Sequence, residues 1–156
     1  MRRHFMIGAL LCAAAVVGTA LAQAKFGTAE EAKAMLTKAI AAVKADKTKA
    51  LEMFNKGEGG FHDRDLYPFC GNATDGTILA VFNPAAKANI GKDVRTIKDA
   101  TGKEYGKELF AAGQKPEGQI SEVTYMFPRP GETQPSQKVS FVTKIGDLYC
   151  GVGYYK

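Results

Sequence analysis

Two similar segments, far apart in the chain and each ending in a cysteine, constrain the fold most strongly. The first reads DLYPFC, Asp65 to Cys70, and the second reads DLYC, Asp147 to Cys150. Each is a short run rich in aromatic and apolar residues, which predicts a buried strand. Any fold of this chain therefore has to bury two aromatic strands, each of which carries one cysteine.

The first 24 residues have the pattern of a secretory signal peptide. Arg2 and Arg3 form a positive n-region, Phe5 to Val17 is an apolar h-region, and small residues allow cleavage before Gln23 or Lys25. A membrane anchor is the alternative, because the apolar run approaches spanning length. The pattern favours removal, by either the general secretory or the twin-arginine route. We therefore expect a periplasmic or secreted bacterial protein.

Export changes the balance of cysteines and charges. Removing residues 1–24 leaves 156 − 24 = 132 residues, which is enough for one domain. In an oxidising compartment, Cys70 and Cys150 most simply form one disulfide, and two separate buried thiols are the alternative. Without Arg2 and Arg3, 19 basic and 16 acidic residues give a net charge of +3. The lysines are spread along the chain, so no nucleic-acid partner is indicated.

Helical patterns come first in the mature chain, and strand patterns follow. Thr28 and Glu31 form a capping box, and apolar spacing predicts helices at 28–45 and 47–56, the second ended by Gly57. Pro68 lies awkwardly within a strand and implies a bulge or an unpaired position. One short helix is predicted at 104–112, inside an irregular crossover. The predicted strands are 66–70, 77–82, 119–127, 138–145 and 148–155, which together give an α+β fold with an antiparallel sheet.

Several blocks along the chain resemble one known family when they are taken in order. They read FNKGEGGFHDRDLYPFC, DGTILAVFNP, NIGKDVRTIKDATGKEYGKEL, VTYMFPRP and KVSFVTKIGDLYCGVGYY. This series is similar to the single Cache domains of bacterial extracellular sensors, over about residues 28–156. The resemblance implies a PAS-like, five-stranded antiparallel sheet in the order 2-1-5-4-3, with a long N-terminal helix on one face. Strands one and five would then be neighbours, which would bring Cys70 and Cys150 together.

The resemblance also implies a small-molecule pocket between the sheet and the crossover, often for carboxylates or amino acids. Such a pocket needs aromatic walls and a few polar groups, and an arginine can hold a carboxylate through two hydrogen bonds. The alternative is that the tyrosines are ordinary core residues and that the arginine pairs with neighbouring aspartates. The candidates are Tyr67, Phe69, Tyr125 and Tyr149 for the walls, Arg64 and Lys144 for a ligand carboxylate, and Asp99 for a ligand ammonium group.

Catalysis finds no support in the sequence. His62 is the only histidine after residue 24, and its HDRD context lacks the partners of a zinc site or a catalytic triad. The segment GKEYGKEL lacks the glycine spacing and the final Lys-Ser or Lys-Thr of a phosphate-binding loop. We therefore expect no enzymatic activity, no cofactor and no metal.

These observations predict an exported sensor domain that binds a small metabolite. The chain ends at Lys156, directly after the last predicted strand. Signalling across a membrane would then need a separate receptor, kinase or transporter. The alternative function is that of an envelope structural or interaction protein, with a PAS-like core and no open pocket.

Overall fold

The computed structural model describes residues 25–156, and the predicted signal peptide lies outside them. Helices and strands occur in the order predicted from the sequence. The helices are α1 (Ala29–Ala45), α2 (Lys47–Lys56), α3 (Pro84–Lys87) and α4 (Tyr105–Ala112), and a 3₁₀ turn covers Val94–Thr96. The strands are β1 (Pro68–Asn72), β2 (Ile78–Val81), β3 (Ser121–Pro128), β4 (Pro135–Ile145) and β5 (Leu148–Tyr155).

Local signals in the sequence explain where the first two helices begin and end. The Thr28 hydroxyl accepts a hydrogen bond from the Glu31 amide, and the Glu31 carboxylate accepts one from the Thr28 amide. This capping box satisfies amides that the first helical turn leaves free. Gly57 ends α2 in the left-handed region at φ 71°, which glycine adopts without a steric penalty. These predictions are confirmed.

The sheet is antiparallel and has five strands in the order β2-β1-β5-β4-β3. Cys70 and Cys150 lie directly opposite each other on β1 and β5 and form a disulfide, with 4.1 Å between their Cα atoms. The predicted strand order and the predicted bridge are therefore both confirmed. The two similar segments of the sequence are neighbouring strands in the middle of the sheet.

Pro68 occupies the first position of β1. The strand predicted from the sequence, 66–70, began two residues earlier. Proline has no amide proton for a strand ladder, so the start of a strand is one of the few positions it tolerates. The bulge that its presence implied lies further along, between Cys70 and Gly71, where the register with β2 shifts.

Strand residues alternate between two hydrophobic cores, one on each face of the sheet. The first core lies under α1 and α2, and includes Leu36, Phe54, Phe141 and the disulfide. The second lies under α4 and the crossover between β2 and β3, and is built around Tyr105, Tyr125 and Tyr149. The crossover also contains α3 and the 3₁₀ turn, which were not predicted.

Candidate ligand-binding site

A cavity of about 50 Å³ lies between the second face of the sheet and the crossover. One water needs roughly 10–15 Å³ on the same scale, so the space suits a few waters or one small molecule. Aromatic and aliphatic side chains form most of its wall, and no aspartate or glutamate of residues 25–156 contributes to it. The lining residues are Tyr67, Phe69, Cys70, Ile78, Val81, Ala86, Asn89, Val94, Ile97, Tyr105, Leu109, Tyr125, Phe127, Lys138 and Tyr149.

The four aromatic residues predicted for the wall all line this cavity. Tyr67 directly precedes β1, Phe69 lies on β1, Tyr125 on β3 and Tyr149 on β5. They converge because alternate residues of a strand point to the same face and because the crossover closes over that face. Their participation in ligand binding stays a prediction.

Arg64 does not line the cavity. Its backbone is in the left-handed region at φ 56°, and its guanidinium group turns toward the N-terminal end of α1. One terminal nitrogen lies 2.6 Å from the Glu31 carboxylate and 2.8 Å from that of Asp63, and the other donates to the Phe26 carbonyl at 3.0 Å. Arg64 therefore ties the segment before β1 to the start of α1.

Asp99 is also outside the cavity wall, and its carboxylate organises a turn. One oxygen accepts hydrogen bonds from the Thr101 amide and hydroxyl and from the Lys103 amide, and the other accepts from the Met126 amide at 2.9 Å. Desolvation acts to raise the pKa of Asp99, but these hydrogen bonds outweigh it and lower the pKa to about 2. One oxygen of Asp99 therefore stabilises its own turn, and the other attaches that turn to β3.

Lys144, the second cation predicted to meet a ligand, lies near the end of β4, opposite Tyr149 on β5. It is half-buried and does not contribute to the cavity wall. The structure therefore brings neither of the two predicted cations to the cavity.

The cation in the cavity wall is Lys138, which the sequence did not single out. Its side chain is 1 % exposed, and its ammonium donates a hydrogen bond of 2.7 Å to the Tyr67 hydroxyl. That nitrogen also lies 4.0 Å from the ring centroid of Tyr67 and 5.0 Å from that of Tyr155. An ammonium has three donors, and within residues 25–156 Lys138 uses one of them.

Gly153 makes room for the Lys138 side chain. A Cβ atom at Gly153 would lie 2.3 Å from Cε of Lys138 and 2.5 Å from Oγ of Ser140. Contacts this short force neighbouring atoms to move, so only glycine leaves space for the lysine to lie across β5. In the sequence, Gly153 within a strand indicates that another group packs closely against the backbone there. A single sequence does not show which side chain occupies that space.

Asn83 joins the wall of the cavity to the crossover. Its amide nitrogen donates to the Tyr67 hydroxyl at 3.0 Å and to the Pro128 carbonyl at 2.9 Å, and its amide oxygen accepts from the Ala85 amide. The Tyr155 hydroxyl donates to the same Pro128 carbonyl at 2.8 Å. These bonds fix the position of Tyr67, whose hydroxyl is the hydrogen-bond partner of Lys138.

One buried carboxylate lies near Lys138. Asp65 is 4 % exposed, and one of its oxygens accepts a hydrogen bond of 2.7 Å from the Gly27 amide. Its other oxygen lies 3.5 Å from Nε of Arg129. The guanidinium group of Arg129 stacks over the rings of Phe26 and Tyr155, at 4.2 and 4.9 Å. Two cations and one carboxylate therefore share this end of the fold.

Burial changes the proton affinity of the groups around the cavity. It lowers the pKa of Lys138 to about 7, although the charge of Asp65 acts in the opposite direction. Desolvation raises the pKa of Tyr67 and Tyr125 well above their ordinary value, so both hydroxyls stay neutral at physiological pH. The amine is thus the group in the cavity whose charge changes near neutrality.

The Tyr105 hydroxyl is the second polar group with unused bonding capacity in the cavity wall. Its ring stacks on Tyr125, with 4.1 Å between centroids and 9° between planes. Within the described residues the hydroxyl makes no hydrogen bond. By contrast, the Tyr125 hydroxyl is bonded to Ser140 at 2.9 Å. Among the described residues that line the cavity, Lys138, Tyr105 and the Asn89 side-chain amide, whose nitrogen makes no hydrogen bond, are available to meet a polar ligand.

No group of three or more histidine, cysteine, aspartate or glutamate side chains within residues 25–156 is arranged to hold a metal ion. None of the helices in the same range has the length and apolar composition needed to cross a bilayer.

Comparisons with known proteins identify a family for this architecture. Residues 28–156 match the family model of the Cache domain. Among curated proteins, none is significantly similar in sequence.

Solved structures of chemotaxis sensors share the fold. A methyl-accepting chemotaxis protein from Vibrio parahaemolyticus aligns with a TM-score of 0.63 at 21 % identity, over 81 % of this chain and 86 % of that chain. A Cache chemosensory domain described for carboxylic acid recognition gives 0.57 at 22 %, over 81 % and 86 %. The periplasmic sensor domain of a chemotaxis protein gives 0.58 at 23 %, over 81 % and 88 %.

Proposed function

The chain belongs to the Cache domain family, and we propose that its cavity binds a small carboxylate through Lys138. The observation that carries this proposal is the buried ammonium of Lys138, which lines an apolar cavity and has two unused donors. Burying a charge is costly unless it is paired. A ligand carboxylate would supply that pair and accept charge-assisted hydrogen bonds.

The charges around the cavity favour an anion over a zwitterion. Lys138 and Arg129 share the single buried carboxylate of Asp65, which leaves positive charge incompletely balanced. No acidic side chain lines the cavity, so the ammonium group of an amino acid would lack a partner. Asp99, the candidate for that role, has both oxygens occupied by its own turn. Among the two ligand classes predicted from the sequence, organic acids fit better.

The size and composition of the cavity narrow the ligand further. The cavity wall also includes aliphatic residues such as Ile78, Val94 and Leu109. Such side chains gain free energy by covering a short aliphatic tail, at roughly 0.8 kcal/mol per buried CH₂. We therefore expect short-chain monocarboxylates, with Tyr105 donating a second hydrogen bond to the carboxylate or to a neighbouring oxygen.

The cellular role follows from the family and from the N-terminal sequence. We propose that residues 1–24 direct export, that residues 28–156 act as a periplasmic or secreted sensor domain, and that a membrane receptor, kinase or transporter receives the signal. The Vibrio protein is described as a methyl-accepting chemotaxis protein, which supports the assignment to signal transduction. The competing function, a structural envelope protein without an open pocket, is less consistent with the cavity and its buried cation.

Isothermal titration calorimetry with acetate, propionate and butyrate tests the binding proposal. We expect at least one to bind, and we expect Lys138→Met to weaken binding by roughly ten- to a hundredfold, the equivalent of about 1.5–3 kcal/mol for a charge-assisted hydrogen bond. Arg64→Met and Lys144→Met are the matched controls, because neither residue lines the cavity. If either control loses affinity while Lys138→Met retains it, the sequence-derived site is right and Lys138 is not the anion partner.

A further inference from the structure

Lys138 is surrounded by groups that cannot fully pair its charge. Across the sheet it lies directly opposite Tyr125 on β3 and Tyr155 on β5, and its single hydrogen bond goes to the neutral hydroxyl of Tyr67. The titratable or charged groups that face its end of the cavity are Asp65 and Tyr67 before and at the start of β1, Tyr125 and Arg129 on and after β3, Tyr105 on α4, and Tyr155 on β5.

Only Asp65 among these groups carries a negative charge, and one of its two oxygens makes no hydrogen bond within the described residues. One accepts a hydrogen bond from the Gly27 amide, and the other faces the guanidinium group of Arg129. Asp65 makes no hydrogen bond to Lys138. An ammonium with no bonded carboxylate in a buried site is destabilised relative to the neutral amine, in agreement with the direction in which burial moves the pKa of Lys138.

We infer that, above neutral pH, the cavity takes up as much as one proton together with each carboxylate it binds, so that this domain responds both to pH and to the concentration of the acid. The inference rests on the proposed function, because it concerns the same carboxylate site. Without ligand the amine exchanges its proton with solvent. The incoming carboxylate supplies the missing anion, and one solvent proton joins the amine nitrogen to give an ammonium–carboxylate pair. The net charge that enters the cavity is zero.

The consequence is an affinity that falls as the solution becomes alkaline. Only the protonated amine pairs with a carboxylate, and apparent affinity scales with the fraction of competent protein. With half-protonation near pH 7, that fraction falls about a hundredfold between pH 6 and pH 9, so the dissociation constant should rise toward that factor. The facing tyrosines do not contribute, because burial keeps the pKa of each above its ordinary value.

Calorimetry of the unmodified protein tests the inference without a variant. The probe is whichever of acetate, propionate and butyrate binds tightest at pH 6, titrated at pH 6, 7.5 and 9 in two buffers with different ionisation enthalpies. At pH 9 we expect the binding heats in the two buffers to differ by the amount that corresponds to uptake of nearly one proton per ligand. At pH 6 we expect the two heats to differ little. The sulfonate of the same chain length has no proton to lose in this interval, so the same pH dependence with that probe would assign the proton to the protein.

Lys138→Arg is the matched variant, because a guanidinium group remains charged throughout the interval. We expect it to bind with little change between pH 6 and pH 9. Equal affinity of the unmodified protein at both pH values, with buffer-independent heats, would overturn the inference and leave the proposed function standing. Absence of binding by every carboxylate and sulfonate at pH 6 would overturn both. A pH dependence that persists in Lys138→Arg would place the proton on another group and also overturn the inference.

Discussion

The two faces of the sheet differ in what they bury. The face under α1 and α2 is filled with aliphatic and aromatic side chains and with the disulfide, and no charged side chain belongs to its core among the described residues. The face under the crossover holds stacked tyrosines, a buried lysine and a cavity. Both faces are built from alternate residues of the same strands, for example Phe141 on one side and Ser140 on the other.

This difference separates stability from binding. Close packing of apolar side chains contributes to the free energy of unfolding, and any loss of volume there is costly. An incompletely filled wall with polar groups is less stable than a filled one, but it has space and hydrogen-bonding capacity for a ligand. We expect substitutions on the two faces to have opposite effects, and the following predictions test that expectation from the largest effect to the smallest.

Removing a large side chain from the helix-covered face should destabilise the protein most. Phe54 on α2 is 0 % exposed and packs edge-to-face on Phe61, with 4.6 Å between ring centroids. Phe54→Ala should lower the free energy of unfolding by about 3–5 kcal/mol, measured by urea denaturation. Ile120→Ala is the control, because Ile120 is 47 % exposed, and it should change stability by less than about 0.5 kcal/mol. Equal losses in both variants would contradict the assignment of the core.

Replacing the buried lysine on the other face should stabilise the unliganded protein. Lys138→Met removes a buried charge while it keeps much of the volume, a change that often stabilises by about 1–4 kcal/mol. Urea denaturation at pH 6 and pH 9 measures the effect. Lys144→Met, on the same strand but outside the cavity wall, should change stability little.

The effect of Lys138→Met should also depend on pH in a defined direction. Burial lowers the pKa of Lys138 from an ordinary value of 10.5 to about 7 in the folded protein. Between these values the unfolded chain holds a proton that the folded protein has released, so stability of the unmodified protein rises with pH. The advantage of Lys138→Met should therefore be largest at pH 6 and smaller at pH 9. An advantage that grows with pH would mean that Lys138 is stably paired in the unliganded fold.

Asp99 gives the smallest effect, and it sharpens the boundary of the site. Asp99→Ala would remove the acceptor of the Thr101, Lys103 and Met126 amides, so we expect a loss of about 1–3 kcal/mol in stability. Because the pKa of Asp99 in the folded protein is about 2, below its ordinary value of 3.8, this contribution is present above about pH 4 and is lost as the pH falls through 2. Carboxylate affinity should be unchanged. A weaker affinity in a variant that folds normally would mean that Asp99 contacts the ligand.

Most of the fold could be predicted from local patterns in the sequence. The capping box at Thr28, the helical spacing of apolar residues and the Gly57 cap act over a few residues, and each appears in the structure where it was expected. The Cys70–Cys150 disulfide was predicted from the presence of two cysteines in an exported chain, and the resemblance to Cache domains added the strand order that makes their strands neighbours. The start of β1 was predicted too early, because Pro68 restricts where the ladder can begin.

The aromatic wall of the cavity could also be predicted, but its cation could not. Tyr67 and Phe69 follow from strand alternation, which is local. The burial of Lys138 depends on Gly153 leaving space across β5 and on the Tyr67 hydroxyl meeting the amine, and both partners are distant in sequence. The sequence predicts Arg64 as a cation that binds the ligand carboxylate, but its left-handed backbone turns the side chain toward Glu31. The contacts of Lys138 with Gly153 and with Tyr67 join residues far apart in the chain, so no local sequence pattern predicts them.

The affinity of Phe54→Ala and Lys138→Met for the tightest-binding short carboxylate, measured by calorimetry at pH 6 below both melting temperatures, tests the separation of the two faces most directly. We predict that Phe54→Ala, although strongly destabilised, binds within about threefold of the unmodified protein, since distant sites act independently. We predict that Lys138→Met, although stabilised, binds at least about tenfold more weakly. Retained affinity in Lys138→Met together with lost affinity in folded Phe54→Ala would contradict the account, because binding would then depend on the helix-covered face.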